Sequence, residues 1–331
     1  MRSSLEGFPY NVVSIIVTYN PKDLKLLEVN IKRAWEETQR VIVVDNASAN
    51  VDAVAYICRK YQCDLIPLRF NTGISYALRK GVRHAIEKYS PDWILFLDQD
   101  TFLLRGAVRE ALSVYRSLPE HMQRRIGILA LSYKNLCDSH IITEIVYSTF
   151  AGTLIRADVA TIVNFRVNFF LDWADYDLYH EVRSKGYLTI LLNRKLMHHR
   201  IGIPMIIPLI YNLKLILFKI IKIIGIRNLG LEPLPQDVSR YIFFESSDRY
   251  YYIVRNSLIL LREKKKDLAT FLRDLVLTGI TTAFVCGMLV TAKAFGLGII
   301  HGLLGREGVL DTSNLKCRKN TNRINFMIHD K

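Results

Sequence analysis

The chain has 331 residues, half of them hydrophobic, which is enough for one large domain with an appendage. Its formal net charge of +14 favours an anionic partner, such as a nucleic acid, a phosphorylated substrate or an acidic membrane surface. The five cysteines lack a metal-binding spacing, and the first ten residues lack an apolar central run. These features predict reduced thiols, no secretory signal peptide and a folded part that stays in the cytosol.

The first part of the chain alternates apolar, β-rich runs with stretches of helical periodicity. Strands are predicted over 12–17, 41–44, 65–70 and 93–97, and helices over 24–37, 54–61 and 75–88. Nearly continuous apolar strands that alternate with helices are typical of a parallel sheet covered on both faces. The pattern therefore predicts an α/β fold.

Polar residues follow these strands at the points where they end. They are Thr18, Asp45, Asn71, Asp98 and Asp100. In open α/β sheets, ligands bind outside the carboxyl ends of the strands. We therefore expect these five side chains to line one edge of the sheet.

The triplet Asp98-Gln99-Asp100 carries two carboxylates directly after a buried strand. Such a pair can share a divalent cation, Mg²⁺ or Mn²⁺, because both ions prefer oxygen ligands. The alternative is a polar turn with a capping aspartate.

Two other strand ends have similar alternatives. Asp45 can accept hydrogen bonds from a pyrimidine or a ribose, or it can cap the next helix. Gly73, in the turn 71–73, would permit a close backbone approach to a ligand, or it can simply complete the turn.

Three carboxylates lie among aromatic residues in the segment 169–177, before a predicted helix that stops at Gly186. An acidic residue beside aromatic rings can act as a general base and hold an acceptor sugar. Asp172 and Asp177 are either structural partners or steer the substrate. The alternative for the whole segment is an acidic helix start.

A pair of histidines, His198-His199, follows the apolar run 188–192. An imidazole can ligate a metal or meet a phosphate, whereas a lone histidine is usually structural. Because the pair falls at the end of the α/β part, one of the two is a candidate to close the site.

The composition changes after Ile201. The apolar segment 203–224 carries three lysines and fits a helix that lies on anionic lipid, and a helix is predicted over 241–266. The stretch 275–292 has 18 residues without a charge and is either a bilayer span or a buried helix. The basic residues sit among long aliphatic runs rather than on a polar face, which argues against nucleic-acid binding.

Five motifs occur in a familiar order along the chain. They are Val-Thr-Tyr-Asn at 17–20, Val-Val-Asp-Asn at 43–46, Asn-Thr-Gly-Ile at 71–74, Leu-Asp-Gln-Asp at 97–100 and Asp-Trp-Ala-Asp at 172–175. Together they resemble the inverting, nucleotide-sugar-dependent glycosyltransferases of family 2 with the GT-A fold. The segments 170–175, 183–187, 249–256 and 302–308 also resemble bacterial rhamnosyltransferases.

The resemblance implies a GT-A (nucleotide-diphospho-sugar transferase, Rossmann-like) domain over 1–202. A helical, apolar and basic membrane-associated region would follow over 203–314, and a basic, disordered tail is expected over 315–331. It also implies roles for site residues. Nucleoside contacts would come from Thr18, Asp45, Asn71 and Gly73, ribose or metal contact from Asp98, metal ligation from Asp100 and His199, base catalysis from Asp175, and acceptor binding from Asp172 and Trp173.

Three departures from the family pattern bear on these roles. Arg79 stands where asparagine is common, Glu181 where arginine is common, and Ala151-Gly152 where a Ser-Gly pair is common. Arg79 could supply charge to a diphosphate, but it also puts the donor contacts in question, and Glu181 weakens the likeness of the acceptor helix.

The expected activity is the inverting transfer of rhamnose from dTDP-rhamnose to a lipid-linked or polysaccharide acceptor in O-antigen-like glycan synthesis. Mg²⁺ or Mn²⁺ would serve as cofactor. The expected location is the cytoplasmic face of the inner membrane, peripheral or with one C-terminal hydrophobic segment. Alternatives are a transferase for another nucleotide sugar, a nucleotidyltransferase, or a non-catalytic membrane-surface scaffold. Nucleotidyltransferases usually open with a Gly-rich basic loop, and none follows Val17.

Overall fold

The computed structural model of the chain describes residues 8–136, 140–199, 203–206, 241–244, 247–311 and 315. The chain divides into two compact units. The sheet unit comprises Met1–Phe170 and Ala174–Arg200, and the helical unit comprises Leu171–Trp173 and Ile201–Lys331. The short piece 171–173 thus belongs to the helical unit although both of its chain neighbours belong to the sheet unit.

Eight strands form the central sheet of the sheet unit. They are β1 (Val12–Thr18), β2 (Arg40–Asp45), β3 (Asp64–Pro67), β4 (Trp93–Asp98), β6 (Ile126–Ser132), β7 (Ile142–Glu144), β8 (Thr153–Arg156) and β9 (Leu188–Lys195). Their order is β3-β2-β1-β4-β8-β6-β9-β7. β1 to β4 pair in parallel, whereas β8 and β7 run antiparallel to their neighbours. The predicted α/β class is confirmed, with a mixed rather than a wholly parallel sheet.

The part of the sheet unit that the structure describes contains seven helices. They are α1 (Leu24–Glu37), α2 (Val51–Lys60), α3 (Ile74–Tyr89), α4 (Ala107–Ser117), α5 (Glu120–Arg125), α6 (Ala157–Ile162) and α7 (Ala174–Ser184). Every residue of β1 is buried, because helices cover both faces of the sheet. A Cβ atom on Gly81 would lie 2.6 Å from Ile15 Cγ2, so glycine allows α3 to approach β1 closely.

A small antiparallel ribbon lies beside the main sheet. It consists of β5 (Thr101–Leu103) and β10 (Met197–His199). β5 begins three residues after the end of β4, so the ribbon brings the end of the sheet unit back to the Asp98–Asp100 triplet.

In its described residues, the helical unit contains a two-stranded sheet and three helices. β11 (Ile203–Ile206) pairs antiparallel with β12 (Tyr241–Phe244), and α8 (Ser247–Arg262), α9 (Leu268–Cys286) and α10 (Met288–Leu303) follow. The helix predicted over 241–266 is therefore wrong at its start. Aromatic and β-branched residues such as those of 241–244 favour paired strands. The predicted interfacial segment beyond 206 and the tail from 316 lie outside the described residues.

The charge-free stretch 275–292 is divided between two helices at Gly287, whose φ of +89° ends α9. Within the described part of the chain, no helix combines the length and the apolarity that crossing a membrane requires. α10 instead packs its small residues against α8. A Cβ atom on Gly298 would lie 2.8 Å from Val254 Cβ, so the two helices are in close contact there.

The described cysteines differ in their state. Cys58 and Cys63 carry free thiols. Cys286 is disulfide-bonded. The prediction that all five cysteines are reduced is therefore wrong at Cys286.

Candidate active site

The carboxyl ends of β1, β2 and β4 lie side by side at one edge of the sheet. Thr18 is the register partner of Asp45, and Val17 is the partner of Asp98. Both Thr18 and Asp45 are fully buried, and Thr18 Oγ1 donates a hydrogen bond of 2.9 Å to Asp45 Oδ1. The other oxygen, Asp45 Oδ2, accepts from the backbone N–H of Ser48 at 2.8 Å. Asp45 thus closes the turn after β2 and does not cap α2, whose N-cap is Asn50.

A side-chain network joins the end of β2 to the turn 71–73. Asn46 Nδ2 donates to Asn71 Oδ1 at 2.8 Å, and Asn46 Oδ1 accepts from the N–H of Thr72 at 2.8 Å. The N–H of Gly73 donates to Asn71 Oδ1 at 3.0 Å. Sequence reasoning missed the role of Asn46, although its position directly after Asp45 is a signal for it.

Gly73 makes a close approach, but in this structure the approach is to protein backbone. Its φ is +84°, and a Cβ atom there would lie 2.3 Å from the carbonyl oxygen of Phe170. The N–H of Ile74 donates to that same oxygen at 3.3 Å. Glycine is required because this conformation and this contact both exclude a side chain. The predicted nucleoside turn is therefore in contact with Phe170 of the acidic segment 169–177, and its contact with a nucleotide stays a prediction.

Asp98, Asp100 and His199 form a cluster of potential metal ligands. One ligand atom from each lies within 4.8 Å of the others, and all three residues are half-buried. The middle residue of the triplet serves the fold, since Gln99 Oε1 accepts from the N–H of Tyr19 at 2.9 Å. Two carboxylates suit Mg²⁺ or Mn²⁺, and an imidazole is compatible with a transition-metal ion such as Mn²⁺. The donor set thus fits the predicted cofactor.

Thr101 orients the imidazole of this cluster. It is the register partner of His199 in the β5–β10 ribbon, it is fully buried, and its Oγ1 lies 2.6 Å from His199 Nδ1. With Nδ1 engaged in this way, Nε2 is the ring nitrogen that can ligate a metal. Sequence reasoning missed Thr101, because only strand pairing places it opposite His199.

The neighbouring histidine lies outside the cluster. His198 stacks on the ring of Phe102 with a centroid separation of 4.7 Å. Partial burial, together with the charge of Lys195, lowers the pKa of His198. Of the two predicted candidates, His199 is thus the one that joins Asp98 and Asp100.

The predicted base, Asp175, lies in the first turn of α7, where a negative charge interacts favourably with the helix dipole. It is half-buried, and its Oδ1 accepts from the N–H of Tyr176 at 2.8 Å. Asp177 is almost fully buried and lies 3.5 Å from Arg166 Nη1, which supports the structural alternative for that residue.

The predicted acceptor residues, Asp172 and Trp173, belong to the helical unit. Asp172 Oδ1 pairs with Arg249 Nη2 at 2.5 Å, and Trp173 Nε1 donates to the carbonyl oxygen of Ile253 at 3.1 Å. Both side chains are thus bound within that unit, and their contact with an acceptor stays a prediction.

The three departures from the family pattern have different structural settings. The Arg79 guanidinium lies 5.5 Å from the ring centre of Tyr76 on the same helix. Gly152 has a φ of +80°, a backbone conformation that favours glycine over residues with a side chain. Glu181 is half-buried on α7.

Comparison with known proteins gives matches to glycosyltransferases. The model of the family "Glycosyl transferase family 2" matches residues 14–124. Over 294 residues the chain is 27% identical to the dTDP-rhamnosyl transferase RfbF of Shigella flexneri. The alignment covers 83% of this chain and 88% of that protein.

Two solved structures are also similar to this chain. TarS 1-349 of S. aureus has a TM-score of 0.45 and 12% identity, with 88% of this chain and 89% of that chain covered. GalNAc-T7 with UDP, GalNAc and Mn²⁺ has a TM-score of 0.46 and 9% identity, with 58% and 44% covered.

The family match begins within β1 and includes Thr18, Asp45, Asn71, Asp98 and Asp100. The structure brings Thr18 together with Asp45, and Asp98 together with Asp100, at the strand ends of an α/β sheet. The expected enzyme class is thereby confirmed. The protein is a glycosyltransferase, and its residues 14–124 match the model of glycosyl transferase family 2.

Proposed function

We propose that this glycosyltransferase moves rhamnose from dTDP-rhamnose to a hydroxyl group of a lipid-linked or polysaccharide acceptor, with inversion at the anomeric carbon. The observation that carries the proposal is the cluster of Asp98, Asp100 and His199. Asp98 ends β4 beside the ends of β1 and β2, which carry Thr18 and Asp45. The similarity to the dTDP-rhamnosyl transferase RfbF supports rhamnose as the sugar.

In the proposed donor complex, Thr18, Asp45, Asn71 and Gly73 hold the nucleoside, and Asp98 lies at the ribose or the metal. Asp100 and His199 would hold Mg²⁺ or Mn²⁺. When bound, such an ion supplies positive charge that offsets the charge of the departing nucleoside diphosphate. Thr101 supports this arrangement because its contact with Nδ1 fixes the orientation of His199.

In the proposed reaction, the Asp175 carboxylate removes the proton of the acceptor hydroxyl. The acceptor oxygen forms a bond to the anomeric carbon from the face opposite the diphosphate. The bond from that carbon to the phosphate oxygen breaks, and its electron pair leaves with the nucleoside diphosphate. The position of Asp175 supports this role, because α7 packs against α3, which begins directly after the turn at Gly73.

We also propose that the protein acts at the cytoplasmic face of the inner membrane, in O-antigen-like glycan synthesis on a lipid-linked acceptor. One face of α10 supports this location, since Leu289, Ile300 and Leu303 are 84%, 52% and 57% exposed. Exposed apolar residues on a helix of a strongly basic chain suit adsorption to anionic lipid.

The donor proposal is tested by binding of nucleotide sugars to the full chain. Thermal unfolding is followed with dTDP-rhamnose, UDP-sugars and GDP-sugars, each with and without Mn²⁺. A ligand at a hundred times its Kd should stabilise the protein by about 2.7 kcal/mol. We expect this for dTDP-rhamnose in the presence of Mn²⁺.

Asp100→Asn should lose the metal-dependent part of this stabilisation. Asp52→Asn, the same change at an exposed position of α2, should keep it. Stabilisation by UDP- or GDP-sugars alone would contradict rhamnose as the donor. No stabilisation by any nucleotide sugar would favour a scaffold without catalysis.

A further inference from the structure

The segment that leads into α7 has an unusual backbone. Asp172 and Trp173 are consecutive non-glycine residues with φ values of +56° and +65°. Left-handed non-glycine residues are unfavourable and persist only where the surroundings hold them. Contacts with residues 171–173 must therefore offset this cost.

The first of these contacts is to the backbone. Asn256 is fully buried on α8, and its Nδ2 donates to the carbonyl oxygens of Leu171 and Asp172 at 2.7 and 2.9 Å. Its Oδ1 accepts from Arg255 Nε at 2.8 Å, which fixes the orientation of the amide. One side chain thus binds two consecutive carbonyl groups of the segment.

The second contact is an ion pair. Arg249, one turn into α8, places Nη2 at 2.5 Å from Asp172 Oδ1 and Nε at 3.4 Å from Oδ2. The Asp172 side chain is only 11% exposed. A two-pronged pair of this kind fixes direction as well as distance.

The third contact is to the indole ring. Lys266 Nζ lies 3.1 Å from the ring centroid of Trp173 and 2.8 Å from Asp274 Oδ2. A cation over the face of an indole is attracted by the ring's quadrupole, most strongly where water is excluded. Lys266 is only 3% exposed, so this contact is almost fully shielded from water.

We propose that Arg249, Asn256 and Lys266 are positioning residues for the transfer step. Together they hold residues 171–173 in the left-handed conformation from which α7 starts, and Asp175 follows Trp173 by two residues. Asp172 and Trp173 are the groups by which the segment is held. This inference rests on the proposed role of Asp175 as the base.

The ionisation of Lys266 offers a separate readout. Burial and, to a smaller extent, the charge of Arg273 outweigh the opposing effect of Asp274 and Asp267, and together these influences lower the pKa of Lys266 to about 8. Above that pH the ammonium loses its proton, and the attraction to the Trp173 ring is lost with it. The hold on the segment should therefore weaken as the pH rises through about 8.

The test uses the full chain with Asn256→Asp, which keeps the shape but removes both donors, and Lys266→Met, which keeps most of the side-chain length but removes the charge. Acceptor kcat and KM and the donor Kd are measured for each. A misplacement of about 1 Å can cost ~100-fold in rate. We expect kcat to fall by up to that factor while the donor Kd stays at the wild-type value.

Two comparisons separate positioning from general stability. Lys266→Arg keeps the positive charge, so its kcat should equal that of the wild type and should not show the decline that we expect for the wild type above pH 8. Lys293→Met changes an exposed lysine of α10 and should leave kcat and its pH profile unchanged. If Asn256→Asp does not fold, Arg249→Lys tests the same contact set, because it keeps the charge but not the two-pronged geometry.

Wild-type kcat and acceptor KM in folded Asn256→Asp and Lys266→Met would overturn the inference. A parallel loss of donor affinity would also overturn it, because it would indicate a general structural role. Failure of the proposed function looks different: Asp175→Asn would then turn over at the wild-type rate, whatever the Asn256 and Lys266 variants do.

Discussion

The sheet unit and the helical unit bring their functional side chains together in different ways. In the sheet unit, Thr18, Asp45 and Asp98 meet because three parallel strands end at one edge. In the helical unit, Asp172 meets Arg249 across 77 residues of sequence, because α8 lies beside residues 171–173. The positions of groups at strand ends are therefore fixed by the strand order. The conformation of residues 171–173, before α7, depends instead on their contacts with α8.

The largest effect should come from the base itself. Asp175→Asn removes the group proposed to take the acceptor proton, and a positioned base contributes typically ~10²–10⁴-fold to the rate. We expect kcat to fall by that factor while the donor Kd, which depends on the strand ends, stays unchanged. Steady-state transfer assays and donor titration measure the two quantities separately.

Asp177→Asn provides the matched control on the same helix. Asp177 is buried and paired with Arg166, so its loss should lower the free energy of unfolding rather than kcat in the folded fraction. If Asp175→Asn kept the wild-type kcat, or if both variants lost kcat equally, the assignment of the base to Asp175 would be wrong.

The difference between the units also explains what sequence reasoning could predict. The strands β1, β2 and β4 are apolar runs of strand length that end in polar residues, so their positions and their common edge follow from local pattern. Helix α1 was predicted with its observed bounds, Leu24–Glu37, from its apolar spacing alone, and the structure adds Asp23 as its N-cap.

Other features depend on pairing between distant parts of the chain and could not be predicted. Thr101 is a functional candidate only because β5 pairs with β10, and Asn256 only because α8 lies beside residues 171–173. The strand at 241–244 was mistaken for a helix, since a short aromatic run carries no periodicity that separates the two.

A smaller effect should come from the packing of α10 on α8. In Gly298→Ala the new methyl group would lie 2.8 Å from Val254 Cβ and 3.1 Å from the carbonyl oxygen of Tyr251. Such overpacking costs about 1–3 kcal/mol. Since α8 also carries Arg249 and Asn256, we expect a lower free energy of unfolding together with a lower kcat for transfer.

Gly296→Ala is the control within the same helix, because nothing lies within 4 Å of a Cβ atom at that position. It should stabilise α10 by up to about 1 kcal/mol through helix propensity. Urea unfolding compares the two variants. Equal stability for both would show that the close contact at Gly298 does not limit how the helices pack.

The smallest effect concerns β3, the outermost strand on one side of the sheet. Charged groups rather than close packing hold this strand to α3. Asp64 Oδ2, on β3, accepts from His84 Nε2, Lys88 Nζ and Tyr89 Oη of α3 at 2.6, 2.8 and 2.7 Å. Burial raises the pKa of Asp64, but the hydrogen bonds outweigh burial, and the net shift is downward.

The sign of the pH dependence follows from that shift. Because the pKa is lower in the folded state, the stabilisation is fully present above the unfolded value of about 3.9 and is lost as the pH falls through the folded value. Lys88 is half exposed, so the contribution is at most about 1 kcal/mol. Asp64→Asn should lower the free energy of unfolding by that amount at pH 7, and its difference from the wild type should shrink as the pH approaches 3. If the difference in stability between Asp64→Asn and the wild type did not change with pH, shape rather than charge would hold β3 to α3. The β3–α3 contact would then depend on packing, as the α8–α10 contact does.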